Sequence, residues 1–148
     1  MVPTLEQSAK VPLEPNEIIA DVLQAAEQGI TIAHLHARDL MGRPTYKKDL
    51  YARIISGIRE KHQSLILCVS CSGRTDAEID RRSEVMELDD DLKPDMATLT
   101  LSSMNFRDQA SINSPDMIKK LANRIMDRAI VPELEIFESY TTGRAGGL

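Results

Sequence analysis

The apolar residues of this chain change their spacing along the sequence, and this change constrains the possible folds more than any other feature. Stretches with an apolar residue at every third or fourth position alternate with short, nearly continuous apolar runs. The first pattern is typical of a helix with one buried face, and the second is typical of a buried strand. Their alternation predicts βα units, in which helices connect the strands of a parallel sheet.

Four apolar runs are predicted to be strands, and each follows a predicted helix. The first helix should begin at Pro15 and end before Gly29, and the second should bury Leu50, Ile54 and Ile58. The strands are expected at residues 30–36, 65–70, 96–101 and 132–137.

Two more helices complete this pattern. A charge-rich helix is expected over residues 76–90. The last helix has Ser114 as its N-cap and Pro115 at its first position, a combination that is favoured at helix starts.

These elements amount to half of a (β/α)8 barrel. A closed barrel needs eight strands and about 250 residues, whereas this chain has 148 residues and begins with a helix. We therefore predict an α/β fold, a partial TIM barrel with about four parallel strands and four helices that lacks its first strand and its second half. Residues 1–138 would form this incomplete barrel domain, and residues 139–148 a polar, glycine-rich tail.

The composition argues against several classes of partner. Acidic side chains outnumber basic ones by 23 to 18, which gives a net charge of −5, and Lys and Arg form no cluster. Nucleic acid is therefore not an expected partner. No run approaches the roughly 20 apolar residues of a membrane span, and the N-terminal segment lacks the apolar core of a secretory signal. We accordingly predict a cytoplasmic protein without a membrane partner.

Two cysteines, Cys68 and Cys71, form a C-x-x-C pattern. Cys68 lies within a predicted strand, where positions three apart point to opposite faces. This favours two buried, reduced thiols over a redox pair.

His34 and His36 are the residues that point most directly to chemistry. In a strand, positions i and i+2 face the same side and lie about 6.6 Å apart, so the two imidazoles can converge on one ion. A catalytic zinc site commonly has three protein ligands and one open position, and two of those ligands would be present here. The alternative is a pair of hydrogen-bonded histidines on the inner face of the sheet, without a metal.

The position of these histidines favours the metal interpretation. They close a predicted parallel strand, at the end where barrels and open α/β sheets place their sites. The other predicted strands also carry polar residues near their ends, namely Ser70, Thr100, Ser102, Glu133 and Glu135. Each of these alone is compatible with a turn or a cap, but together they indicate a shared site.

Several longer motifs resemble those of the beta-keto acid cleavage enzymes, the family of the 3-keto-5-aminohexanoate cleavage enzyme of lysine fermentation. In chain order these motifs are PTLEQSAKVPLEPNEI, IAHLHARDLMGRPTY, LILCVSCSGR, KPDMATLTLSSMNF, NSPDMIKKL and PELEIFE. They cover most of the chain, and their order and spacing are far more specific than two histidines.

This resemblance implies a TIM-barrel fold and a zinc-dependent transferase. The reaction that it implies converts a β-keto acid and acetyl-CoA, the co-substrate, into acetoacetate and a new acyl-CoA. The zinc-binding histidines of the family match His34 and His36. The full-length family is expected to form homo-oligomers.

The resemblance also implies which residues bind the keto acid. Ser70, Thr100 and Glu135 match positions that hold the polar groups and the amino end of the substrate, and Glu133 is the alternative to Glu135. The family's third zinc ligand, an arginine and the aspartate base lie on strands beyond this C-terminus. No catalytic residue is therefore assigned within the chain, which is expected to be an incomplete and inactive fragment.

Two other functions are compatible with parts of this pattern. An amidohydrolase-like metal hydrolase also places H-x-H at a strand end, but it needs further histidines on later strands, and His62 alone is left. A non-catalytic remnant that folds by pairing with another chain would also account for the missing strands.

Overall fold

A four-stranded parallel sheet forms the centre of the computed structural model, which describes residue 8 and residues 10–74, 76–106 and 110–137. All three pairs of neighbouring strands are parallel, and the strands lie side by side in chain order. They are β1 (Ile32–Leu35), β2 (Ile66–Val69), β3 (Met96–Thr100) and β4 (Val131–Glu135). The predicted parallel sheet with sequential strand order, which successive right-handed crossovers produce, is thus confirmed.

Each strand follows a helical connection. The helices are α1 (Pro15–Glu27), α2 (Lys48–Lys61), α3 (Ile79–Arg82) and α4 (Pro115–Asp127). Gly29 follows α1 with a φ of +91°, a conformation that glycine adopts without strain. The Ser114 hydroxyl accepts a hydrogen bond from the backbone N–H of Met117 at 3.2 Å, as expected of the N-cap of α4.

The third connection differs from the single helix that the sequence predicted over residues 76–90. It consists of the one-turn helix α3 and two 3-10 turns, Glu84–Glu87 and Asp90–Leu92. Asp90 has a φ of +52°, which a right-handed helix does not allow. The prediction of one continuous helix was therefore wrong.

The apolar core lies between the helices and one face of the sheet. Leu35, Leu67 and Leu99 come one each from β1, β2 and β3, and all three are fully buried in this core. Burying a leucine side chain contributes about 1.5–3 kcal/mol. The helices supply the other side of this core, mainly through Ile54, Ile55, Ile58, Ile118, Leu121 and Ile125.

The opposite face of the sheet carries apolar residues at the N-terminal ends of the strands and polar residues towards the C-terminal ends, and we refer to this C-terminal part as the polar face. His34 pairs with Cys68 between β1 and β2, and Thr98 and Thr100 pair with Glu133 and Glu135 between β3 and β4. Paired residues in neighbouring strands point to the same side, so these side chains share one surface.

Two short antiparallel ribbons, which the sequence analysis did not predict, follow β1 and β3. Ala37–Arg38 pairs with Pro44–Thr45, and Met104–Asn105 pairs with Ala110–Ser111. Both ribbons directly follow the C-terminal ends of their strands, so they lie at the same end of the sheet.

Within the described residues, no helix is both long and apolar enough to cross a bilayer. The predicted tail, residues 139–148, lies outside the described residues, so the domain boundary at residue 138 stays a prediction.

Candidate active site and metal centre

The C-terminal ends of the strands surround a cavity of about 370 Å³. Small-molecule sites commonly fall between about 300 and 1,000 Å³. The walls of the cavity include all five residues that the sequence analysis assigned to metal or substrate, namely His34, His36, Ser70, Thr100 and Glu135. The four strands thus bring these residues to one place. Metal binding by the two histidines and substrate binding by the other three residues stay predictions.

His34 and His36 lie with their rings stacked, the centroids 4.9 Å apart and the planes 24° from parallel. Burial lowers the pKa of His36 to about 4, and the positive charges of Arg38 and Arg74 act in the same direction. His36 is therefore a neutral imidazole at pH 7, which is the form that binds metal ions.

His34 contacts a residue from the far edge of the sheet. Its Nδ1 atom lies 2.9 Å from Oε2 of Glu133, and the thiol of Cys68 donates to the same oxygen at 3.5 Å. These three residues can each offer one atom to a metal ion, and the three atoms lie within 4.8 Å of one another. Burial, and then the charge of Glu133, raises the pKa of the Cys68 thiol, so this thiol is protonated at pH 7.

Cys68 was missed as a site residue by the sequence analysis. Both cysteines are free and buried, as predicted. Cys71 belongs to the apolar core, whereas Cys68 lies on the polar face opposite His34. The signal was available in the sequence, because Cys68 is two residues from Ser70 in a strand and so shares its face.

The two hydroxyl residues predicted to bind the substrate, Ser70 and Thr100, line the cavity and are buried. Ser70 and Thr100 are almost inaccessible, and the Thr100 hydroxyl donates to the carboxylate of Glu135. Among the described residues, the cavity wall includes Glu135 but not Glu133. The two glutamates, which the sequence left as alternatives, therefore occupy different surroundings.

Arg74 and two phenylalanines form a wall of the cavity that the sequence analysis did not predict. The guanidinium carbon of Arg74 lies 3.6 Å from the ring centroid of Phe106. Phe106 in turn packs edge-on against Phe137, with 6.3 Å between the centroids. This wall places a cation and apolar surface beside the polar strand ends.

A buried arginine fixes the loop between β2 and α3, from which Ser70 and Arg74 enter the cavity. Arg82 donates from Nε to the backbone oxygen of Cys71 at 2.9 Å, and from its terminal nitrogens to Asn113 Oδ1 and Ile112 O. A Cβ added to Gly73 would lie only 2.5 Å from that same Ile112 oxygen. The loop is thus closely packed and needs glycine at this position.

A protein-family model, described as beta-keto acid cleavage enzyme, matches residues 1–146 of this chain. The chain belongs to the beta-keto acid cleavage enzyme family. This confirms the resemblance that the motifs indicated, and it disfavours the amidohydrolase-like alternative. His62, the further histidine that was considered for that alternative, is the C-cap residue of α2 and does not line the cavity.

Curated relatives match the chain along most of its length. A 3-oxoadipate:acetyl-CoA acetyltransferase from Cupriavidus necator is 34% identical over 137 residues, which cover 93% of this chain and 46% of the relative. A 3-keto-5-aminohexanoate cleavage enzyme from Fusobacterium nucleatum is 32% identical over 136 residues, which cover 91% and 48%. This beta-keto acid cleavage enzyme chain therefore spans about half the length of the curated relatives that it matches.

Solved structures support the fold. The apo structure of ObcA superposes with a TM-score of 0.83 and 23% identity, and the match covers 92% of this chain and 32% of ObcA. The binary complex of ObcA with oxaloacetate gives a TM-score of 0.82 and 22% identity. The predicted α/β architecture of a partial barrel is thus confirmed for this beta-keto acid cleavage enzyme chain.

Proposed function

We propose that this chain carries part of the catalytic centre of a transferase that converts a β-keto acid and acetyl-CoA into acetoacetate and a new acyl-CoA. The main support is the cavity that His34, His36, Ser70, Thr100 and Glu135 line together. Membership of the family supports the reaction class, and the name of the Cupriavidus relative supports acetyl-CoA as co-substrate.

Zinc is the cofactor in this proposal, and His34 and His36 are its ligands from this chain. Both imidazoles line the cavity with their ring centroids 4.9 Å apart, and burial keeps His36 neutral, so the two residues can offer the nitrogen ligands that zinc prefers. When bound, the ion would supply a Lewis acid that polarises the β-keto carbonyl.

Four other residues of the cavity wall, Ser70, Thr100, Glu135 and Arg74, bind and orient the keto acid in this proposal. The buried hydroxyls of Ser70 and Thr100 can each form a hydrogen bond with a polar group of the substrate. Glu135, held by Thr100, provides a carboxylate for the amino end of a substrate that has one. Arg74 provides the opposite charge on another wall, so the cavity can distinguish substrates by the charge of their far end.

The full reaction is assigned to a protein in which the rest of the barrel is present, because this chain spans about half the length of its curated relatives. Assembly into homo-oligomers and a role in lysine fermentation are parts of the proposal that rest on the family resemblance. A cytoplasmic location is supported by the two free cysteines, which are typical of reducing compartments.

A hybrid protein tests this proposal. The 148-residue chain would replace the matching segment of the Cupriavidus acetyltransferase, and acetoacetate would be measured with acetyl-CoA, zinc and a panel of β-keto acids, including 3-oxoadipate and 3-keto-5-aminohexanoate. We expect acetoacetate from at least one of them and its loss in His36→Ala.

His62→Ala is the matched control, because His62 lies outside the cavity wall. This variant should keep the activity of the hybrid. A folded hybrid that forms no acetoacetate, or one that keeps its activity in His36→Ala, would contradict the proposal.

A further inference from the structure

The contact between His34 and Glu133 joins the two edges of the sheet. His34 lies on β1 and Glu133 on β4, and two strands separate them. In a flat sheet, three strand spacings would put the edges roughly 14 Å apart. A contact of 2.9 Å between Nδ1 and Oε2 therefore requires both a curved sheet and a Glu133 side chain that extends across it towards β1.

In the sheet, residues of the adjacent strand β3 lie nearer to Glu133 than His34 does. In the register of β3 and β4 Glu133 pairs with Thr98, whose hydroxyl instead accepts a hydrogen bond from the backbone N–H of Cys71 at 2.8 Å. The Glu133 carboxylate contacts His34, and the Cys68 thiol donates to the same oxygen. Donors from β1 and β2 thus fix one carboxylate that comes from β4.

This contact determines which nitrogen of His34 carries hydrogen. An ionised carboxylate only accepts hydrogen bonds, so the Nδ1 atom that faces it must be the donor. In a neutral imidazole the other nitrogen, Nε2, then keeps its lone pair. A histidine that binds a metal ion commonly donates its second ring N–H to a carboxylate in this way.

We infer that Glu133 is a positioning residue whose carboxylate holds the His34 ring in the Nδ1–H tautomer, which leaves Nε2 free to bind a metal ion. The inference uses His34 as a metal ligand and in that respect rests on the proposed function. The tautomer itself does not depend on a bound ion. Glu133 then acts through His34, whereas Glu135, two residues further along β4, lines the substrate cavity.

The experiment measures the tautomer directly, in the metal-free 148-residue chain. Two-bond proton–nitrogen correlation spectra of the imidazole rings, assigned with His34→Gln, distinguish Nδ1–H from Nε2–H. We expect Nδ1–H for His34 in the natural chain and a shift towards Nε2–H in Glu133→Ala. Glu133→Gln should keep Nδ1–H, because the Cys68 thiol also donates at this place and so favours the amide oxygen, rather than the amide N–H groups, facing His34. Glu135→Ala, on the same strand, should leave the tautomer unchanged.

Zinc affinity, measured by competition with a chromophoric chelator, is the second readout. Removing such a carboxylate partner typically costs 10- to 100-fold in metal affinity. We expect a loss of about that size in Glu133→Ala, and a smaller one in Glu133→Gln. If Glu133 contributed only by packing, Glu133→Ala would leave the tautomer of His34 unchanged, and there would be no tautomer for Glu133→Gln to restore.

Three results would overturn the inference. They are an Nε2–H tautomer of His34 in the natural chain, a tautomer that Glu133→Ala does not alter, and direct binding of the metal ion by Cys68 and Glu133 together with His34. Direct ligation would appear with cobalt as a thiolate absorption band that is lost in Cys68→Ser and kept in Cys71→Ser. If the tautomer responds to Glu133 in a chain that binds no zinc, the positioning role stands and the zinc assignment of the proposed function fails.

Discussion

The fully buried side chain of Arg82 donates from Nε to the backbone oxygen of Cys71, at a distance of 2.9 Å. Cys71 follows directly after Ser70, which lines the candidate active site. The arginine thus connects the short helix α3 to the strand end that carries a predicted substrate residue. Burial lowers the pKa of the guanidinium, and hydrogen bonds to Cys71, Ile112 and Asn113 hold the group in place.

The first prediction concerns this contact. Arg82→Met should lower the free energy of unfolding by about 3 kcal/mol, because each buried acceptor that loses its donor costs roughly 1–3 kcal/mol. Urea denaturation followed by circular dichroism measures the change. The control is Arg81→Met, since the Arg81 side chain is 70% exposed and pairs with Asp76 at the surface. Equal effects of the two substitutions would show that the buried network contributes nothing.

A second prediction tests the core on the other face of the sheet. Leu99 is 1% exposed, so Leu99→Ala should cost about 2–5 kcal/mol through lost burial and the cavity that it leaves. Met126 on α4 is 64% exposed, and Met126→Ala should change stability by no more than about 0.5 kcal/mol. Thermal and urea unfolding would measure both, and a small loss for Leu99→Ala would mean that this face is not the core.

The third prediction is a pH dependence that arises from His36. Its pKa is about 4 in the folded chain and about 6.5 in an unfolded chain. The unfolded state therefore takes up a proton first as the pH falls. Stability from this group is fully present above about pH 6.5 and is lost between there and pH 4, by an amount on the order of 3 kcal/mol.

Urea titrations at a series of pH values, with a chelator present, would measure this loss. His36→Gln removes the titrating group and serves as the comparison, so the difference in stability between the two proteins should narrow or reverse as the pH falls. A difference that stays constant from pH 7 to pH 4 would show that His36 is not held neutral by its surroundings.

Much of the fold could be predicted because its signals are local. The i, i+4 spacing of Leu50, Ile54 and Ile58 predicts a helix by itself, and the cap at Ser114 marks where another helix begins. The segment over residues 76–90 gave no such signal. Its structure depends on burying Arg82 against loops that are distant in sequence, and spacing alone does not reveal that contact.

The candidate site was predictable in its members but not in its contacts. Alternation along a strand places His34 and His36 on one face, and it treats Glu133 and Glu135 alike because they also differ by two positions. The contacts made across the curved sheet distinguish these glutamates, since Glu133 contacts His34 whereas Glu135 accepts a hydrogen bond from Thr100 and lines the cavity. Curvature results from the packing of all four strands, so it was not visible in any single motif.

The measurement that most directly tests the central claim is an anomalous difference map at the zinc absorption edge, from crystals of this chain grown with zinc. We predict a peak on the polar face, about 2.0–2.1 Å from a ring nitrogen of both His34 and His36. This prediction would be contradicted by zinc bound only at His62 or at surface carboxylates, with no ion on the two stacked imidazoles.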